Sequence, residues 1–194
     1  MGKRILILQG HPDAHARHFC HALAEAYADA ARSAGHTVET CEIAQIDFPL
    51  LRSKAEWDDG PTPESLKPVQ EAILRAEHLV LFFPLWLGGM PALLKGFLEQ
   101  VARPGFALSK MDGQGFPKKL LAGRSARLVV TMGMPALAYR FVFRAHSLKA
   151  LERNILGFVG IAPIHETLIG MIEGDAKHRE RWLVKLGRLG ARGD

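Results

Sequence analysis

Leu79–Glu99 reads LVLFFPLWLGGMPALLKGFLE. A short, almost wholly apolar run, Leu79–Phe83, ends in Pro84. An indole, Trp86, two glycines and Met90-Pro91 follow, and then apolar residues recur at helical spacing: Leu94, Phe97, Leu98 and Val101. This is the pattern of a strand buried on both faces, a loop at its carboxyl end, and a helix opening near Pro91. In an open α/β sheet, ligands bind at such carboxyl-end loops. The loop is itself apolar and carries an indole, so it suits a flat aromatic ligand such as a flavin better than a sugar or a metal.

The rest of the chain supplies the sheet around this strand. Lys3–Gln9 is a compact apolar strand, broken by Gly10-His11-Pro12-Asp13. A helix is expected from about Ala16 to Ser33, stopped by Gly35. Thr37–Ile43 alternates as an edge strand. Asp47–Pro63 is a long connection, and a helix over Glu64–Ala76 carries Pro68 in its opening turns. Arg103–Gly123 is irregular, and Ala126–Thr131 is a fourth strand. Phe141–Leu156 reads as a helix, Ile164–Ile169 as a fifth strand, and Asp175–Leu189 as a last helix.

Strands that alternate with helices imply a parallel sheet covered on both faces. The first strand lacks the G-x-G-x-x-G of dinucleotide folds. That leaves strand order 2-1-3-4-5, in three layers, with its crevice between strands one and three. With 194 residues, nearly half of them apolar, one domain spanning 1–194 is expected. No apolar run is long enough to span a bilayer and the N-terminus lacks a leader pattern, so the reading is cytoplasmic.

The formal charge is +5 with an isoelectric point near 9.4. Basic residues are scattered, with an excess after Lys177, and no basic run alternates with aromatics, so nucleic acid is not an expected partner. The charge would favour an anionic nucleotide. Cys20 and Cys41 have no metal-type spacing and read as reduced thiols.

Three loops carry the chemistry. The first, GHPDAHARHF, feeds a helix N-terminus, where free N–H groups favour phosphate. His11, His15, Arg17 and His18 could close around such a group; a metal site and a solvated loop are the alternatives, and Pro12 opposes a helical His pair. The second, Pro84–Gly89, would border a flavin ring, with Trp86 as core or interface residue being the alternative. The third, Thr131-Met132-Gly133-Met134-Pro135, offers backbone donors to the ring's polar edge, with Tyr139 and His146 beyond it.

These stretches resemble the flavodoxin-like NAD(P)H:quinone oxidoreductases, including the flavoprotein subunits of bacterial potassium-efflux systems. The likeness runs through Leu6–Tyr27, Phe83–Val101, Val129–Arg140 and Glu152–Ile161. It implies a flavodoxin-like fold and flavin chemistry: hydride passes from NAD(P)H to flavin N5 and on to a quinone-like acceptor, in ping-pong order. The flavin is expected to be FMN, with FAD as an alternative. The implied flavin contacts are His11, Arg17, His18, Phe19, Cys20, Pro84, Leu85, Trp86, Leu87, Gly88, Thr131, Met132 and Gly133.

Tyr139 matches a tyrosine near the nicotinamide and quinone. His146 lies a single position from the family's histidine. The chain departs from the family at Cys20, where asparagine is frequent, and at Met132 and Met134-Pro135. The resemblance further implies a homodimer, with Trp86, Phe106 and the 47–63 segment as interface or lid candidates. It also implies peripheral contact with a membrane transporter as a regulatory alternative, and a one-electron carrier as another.

Overall fold

The structure, a computed structural model, describes residues 2–110 and 116–194. Five parallel strands stand in the order β2-β1-β3-β4-β5, as the sequence predicts. They are β1 (Arg4–Gln9), β2 (Thr37–Glu42), β3 (His78–Pro84), β4 (Ser125–Thr131) and β5 (Ile164–Ile169). Every residue of β3 is buried, which is why its sequence shows a run rather than an alternation. Leu79, Leu81 and Phe83 face one core, Val80 and Phe82 the other. β2 is an edge strand with no buried residue; Glu39 and Glu42 on it pair with Arg75 and Arg17, and such charges guard an open edge.

Among the described residues, seven α-helices cover the sheet: α1 (Phe19–Ser33), α2 (Lys54–Asp59), α3 (Lys67–Arg75), α4 (Ala92–Val101), α5 (Ala136–Phe141), α6 (His146–Ala150) and α7 (Ala176–Arg192). Helices α1 and α7 fill one face with Leu23, Tyr27, Leu186 and Leu189. Helices α3, α4 and α6 fill the other with Ile73, Leu94, Phe97 and Leu148.

The structure corrects three details. Helix α1 begins at Phe19, not near Ala16, because the Asp13 carboxylate takes the His15 and Ala16 N–H groups into a turn. The 47–63 connection is not structureless: it holds α2, capped by Ser53. The buried Arg103 guanidinium straps that segment down by donating to the carbonyls of Gly60 (2.8 Å) and Pro61 (2.9 Å). The irregular stretch at 103–123 includes residues 111–115, which lie outside the described residues.

The expected helix over Phe141–Leu156 is instead the last residue of α5, the short helix α6 and a π-helical segment, Leu151–Leu156. Arg144 and Ala145 both have positive φ (55° and 48°), which turns the chain between α5 and α6. In the π-helical segment, Glu152 shares a hydrogen bond with Glu166 of β5, and Arg140 of α5 also pairs with Glu166.

Burial, and then the neighbouring Glu166, push the Glu152 carboxyl up to about 7. The folded state therefore holds a proton that the unfolded chain releases at lower pH. The stability from this pair is fully present below the ordinary glutamate range and is lost as pH rises through about 7. Denaturation midpoints should fall over that window in the parent protein, and the fall should be smaller in Glu152→Gln. An equal slope in both proteins would refute the pairing.

Candidate functional site

The carboxyl ends of β1, β3 and β4 stop at one level because their ladders are in register there. Gln9 stands opposite Phe82, and Pro84 opposite Thr131. The ladder is finished by two short backbone bonds. Gly10 N–H donates to the Phe82 carbonyl (2.7 Å), and Leu85 N–H to the Thr131 carbonyl (2.7 Å). Three loops leave from this level.

In the second loop, Trp86 and Gly89 exchange both backbone hydrogen bonds at 2.9 Å. The two residues between them, Leu87 and Gly88, both have positive φ (47° and 78°). That is the two-residue turn that favours asparagine and glycine; a leucine there is strained. Leu87 is fully exposed and Trp86 half-exposed, whereas Pro84 is buried and Leu85 half-buried. The hairpin thus holds two large apolar side chains in solvent above the strand ends. Leu137 (69 %) and Met134 (36 %) add exposed apolar surface from α5 and the third loop.

The first loop meets this hairpin through His11, whose ring stands edge-on to Trp86 at 6.1 Å. His11 is buried (7 %) and stacks on His18 at 4.0 Å, with His21 at 5.1 Å. Its Nδ1 accepts from Asp13 N–H (3.2 Å), so in the neutral ring the proton sits on Nε2. Burial, with the charges of His18 and His21, pushes His11 down to about 4. The bond from His18, and the backbone of His15, hold Asp13 down to about 2. At neutral pH this loop therefore presents a neutral His11 beside an ionised Asp13.

Arg17 does not close the loop. It pairs with Glu42 and Glu25, on the side of α1 facing β2. Phe19 is half-buried at the start of α1. Cys20 is in the core (2 %); burial pushes its thiol up to about 12, and its partners are Gln9 and Thr131. Cys20 thus fills core space and gives no side-chain donor to a ligand.

In the third loop, Thr131 and Met132 are buried and Gly133 is exposed. The Met132 N–H is taken by the Ile169 carbonyl (2.8 Å), which leaves Gly133 as the open backbone of the expected set. Tyr139 is also buried (2 %), with its hydroxyl 3.5 Å from the Gly88 carbonyl. It supports the hairpin from beneath. His146 is exposed at the start of α6.

Sequence reading missed two residues that shape this site. Gln9, a buried amide ending an apolar strand, accepts from His11 N–H (3.1 Å) and donates to the Cys20 carbonyl (3.2 Å). The signal was visible, since a lone glutamine at the end of such a run needs partners. Ser147 abuts the hairpin: a Cβ at Gly89 would sit 3.0 Å from its Oγ. Nothing local in the sequence marks that contact.

Among the described residues there is no group of three or more His, Cys, Asp or Glu arranged to hold a metal ion. No helix among them is long and apolar enough to cross a membrane. A separate apolar groove of about 240 Å³, between Trp57, Leu98, Leu108 and Phe158, lies against the carboxyl-terminal half of α4. Because α4 runs back from the loops, this groove is remote from them.

An open parallel sheet with its crevice at the switch between β1 and β3 places the chain among doubly wound α/β proteins. The family model for a flavodoxin-like fold matches residues 3–187, and the chain belongs to that family. An uncharacterized NAD(P)H oxidoreductase of Haemophilus influenzae is 28 % identical over 171 residues, covering 86 % of this chain and 83 % of that protein. The FMN-dependent NADH:quinone oxidoreductase 1 of Colwellia psychrerythraea is 30 % identical over 94 residues, 48 % of this chain and 46 % of that one. The NAD(P)H:quinone oxidoreductase structure from Methanothermobacter marburgensis superposes with a TM-score of 0.82, at 24 % identity, over 100 % of both chains.

Two outcomes follow from this geometry. His11 should stay neutral well below the ordinary histidine range, gaining its proton only near pH 4. A histidine whose folded value is depressed loses stability as pH falls from about 6.5 toward 4, and His11→Asn should remove that part of the acid slope. NMR titration of the ring checks it, and an ordinary midpoint would overturn the burial argument. Tyr139→Phe should lower stability by about 1 kcal/mol while leaving the pH profile of turnover unmoved. A moved profile would return the phenol to the chemistry.

Proposed function

We propose that this protein is an NAD(P)H oxidoreductase that uses FMN and reduces quinones or similar flat electrophiles. The observation that carries the reading is the strained hairpin, which keeps Trp86 and Leu87 in solvent above the strand ends, beside His11 and the opening turn of α1. An apolar surface of this kind, set at the switch point of the sheet, fits a tricyclic ring. The names of the relatives from Haemophilus influenzae and Colwellia psychrerythraea support the same chemistry.

The residues fit the group unevenly. At the ring end, Trp86, Leu87 and Gly88 would border the flavin, and Gly133 would offer its backbone to the polar edge; Pro84 and Leu85 hold the hairpin's base. At the tail end, the first N–H groups of α1, at Phe19 and Cys20, lack intrahelical acceptors. The Nε2 proton of neutral His11 adds a donor, and His18 stands beside it. Helix N-termini bind phosphate without needing a cation. Asp13, which caps the loop and pairs with His18 at 2.7 Å, must yield or turn outward as a phosphate arrives.

Bound FMN supplies two-electron transfer between nicotinamide and acceptor. The chain's own part is to hold, orient and shield. Trp86 and Leu87 exclude water from one edge of the ring site, and Met134 and Leu137 give an apolar rim suited to a planar acceptor. Tyr139 positions the hairpin through Gly88. Phe141 (71 %), Val142 (74 %) and Phe143 (57 %) form a further exposed apolar run, which supports a homodimer burying that segment.

Purified protein should come out yellow, or take up FMN from solution, with the released cofactor identified by mass. Colourless protein that binds neither FMN nor FAD would end the oxidoreductase reading. Trp86→Ala should weaken FMN retention about tenfold through lost stacking, with the fold unchanged by circular dichroism. Parent-like retention and turnover in that variant would remove Trp86 from the site.

A further inference from the structure

The excess positive charge is confined to one helix. Six of the chain's 25 Lys and Arg residues and one of its 20 acidic residues lie in α7. This helix therefore carries +5, the net charge of the whole chain, and the remainder is balanced at 19 of each sign. The charge is not spread around the helix. Lys177, Arg181, Lys185 and Arg188 recur at helical spacing and are all exposed, lining one open surface with Glu180 and Val184.

Other cations on this helix are engaged. Arg179 turns back to the carbonyls of Ile172 and Gly174, and Arg192 pairs with Asp194. Among the described residues, no carboxylate lies within 4.0 Å of Lys177, Arg181, Lys185 or Arg188. Four unpaired cations thus run along about 17 Å of helix.

The shape of the surface selects the partner. Helix α7 is pressed against α1: a Cβ at Gly190 would lie 2.1 Å from the Tyr27 carbonyl oxygen, and one at Gly187 would lie 3.6 Å from that of Ala26. The two helices form one layer, and only the outer side of α7 is presented. A helix set flush in a layer cannot enter a DNA major groove, but it can lie along a plane. Apolar groups accompany the cations. Val184 is half-exposed, and the Lys185 ammonium lies 4.3 Å over the Trp182 ring. Cationic heads on apolar stems beside an indole are the composition that rests at a headgroup boundary.

We propose that α7 seats the protein on the surface of an anionic lipid bilayer, with Lys177, Arg181, Lys185 and Arg188 toward the headgroups. The attachment is peripheral and electrostatic, and it does not depend on the redox reading of the strand-end site.

The test is cosedimentation of the full chain with vesicles of mixed phosphatidylglycerol and phosphatidylcholine, against vesicles of phosphatidylcholine alone. The protein should pellet with the anionic vesicles only, and several-fold more salt should release it. Each neutralised cation should lower the partition coefficient about fivefold. Lys177→Gln, Arg181→Gln, Lys185→Gln and Arg188→Gln together should abolish binding. Should that combination melt early, the pair Arg181→Gln and Arg188→Gln should still lose about 25-fold. Neutralising Arg52, Lys54, Lys67 and Arg153, on other faces, should leave binding intact. Failure to pellet at low salt, binding undiminished in the α7 variants, or tighter binding to a DNA duplex than to the vesicles would each overturn the proposal.

Discussion

The site depends on where three strands stop. β1, β3 and β4 are held in a ladder that pairs Gln9 with Phe82 and Pro84 with Thr131. Because β3 is buried on both faces, a slip of one residue would move Phe82 and Phe83 into opposite cores and break two packed layers at once. That cost fixes the level at which Gly10, Leu85 and Met132 leave the sheet. His11, Trp86 and Gly133 are neighbours for this reason, although the sequence separates them widely.

In the hairpin, local preference and structure disagree. A leucine at positive φ, wholly in solvent, gains nothing from burial and pays backbone strain. Tyr139 and Ser147 beneath it, and the reciprocal Trp86–Gly89 bonds, keep it from relaxing. A fold that over-determines an unfavourable apolar turn beside a ligand crevice holds a binding surface ready-made, so less ordering remains to be done when a ring arrives.

Much of this was legible in the residues. An apolar run closed by Pro84, an indole and two glycines, and a helix after Pro91 place the crevice, and the absence of a dinucleotide glycine motif selects the strand order. What escaped reading is what depends on side-chain direction across elements. The first loop predicts Arg17 at a phosphate, but Glu42 on β2 and Glu25 draw it away. The resemblance implies Tyr139 and Cys20 at the site, yet both are buried; Cys20 shares the inward face of α1 with Leu23, Tyr27 and Ala31. The break between α5 and α6 escaped as well, since Arg144 and Ala145 are not residues that advertise positive φ.

Charge shows the same division between what composition states and what structure decides. A basic chain suggests cations around an anionic ligand, but the crevice holds a neutral His11 and an ionised Asp13, and Arg17 is drawn away to Glu42 and Glu25. The excess lies on α7, packed against α1 on one face of the sheet. On the proposed reading, capture of a phosphorylated ligand at the strand ends would rest on the backbone of α1 and on directed hydrogen bonds. Such donors are preorganised and short-ranged, and they are far less weakened by salt than a field of exposed lysines. Separating the two leaves the cationic helix free to meet a large anionic surface without competing for the cofactor.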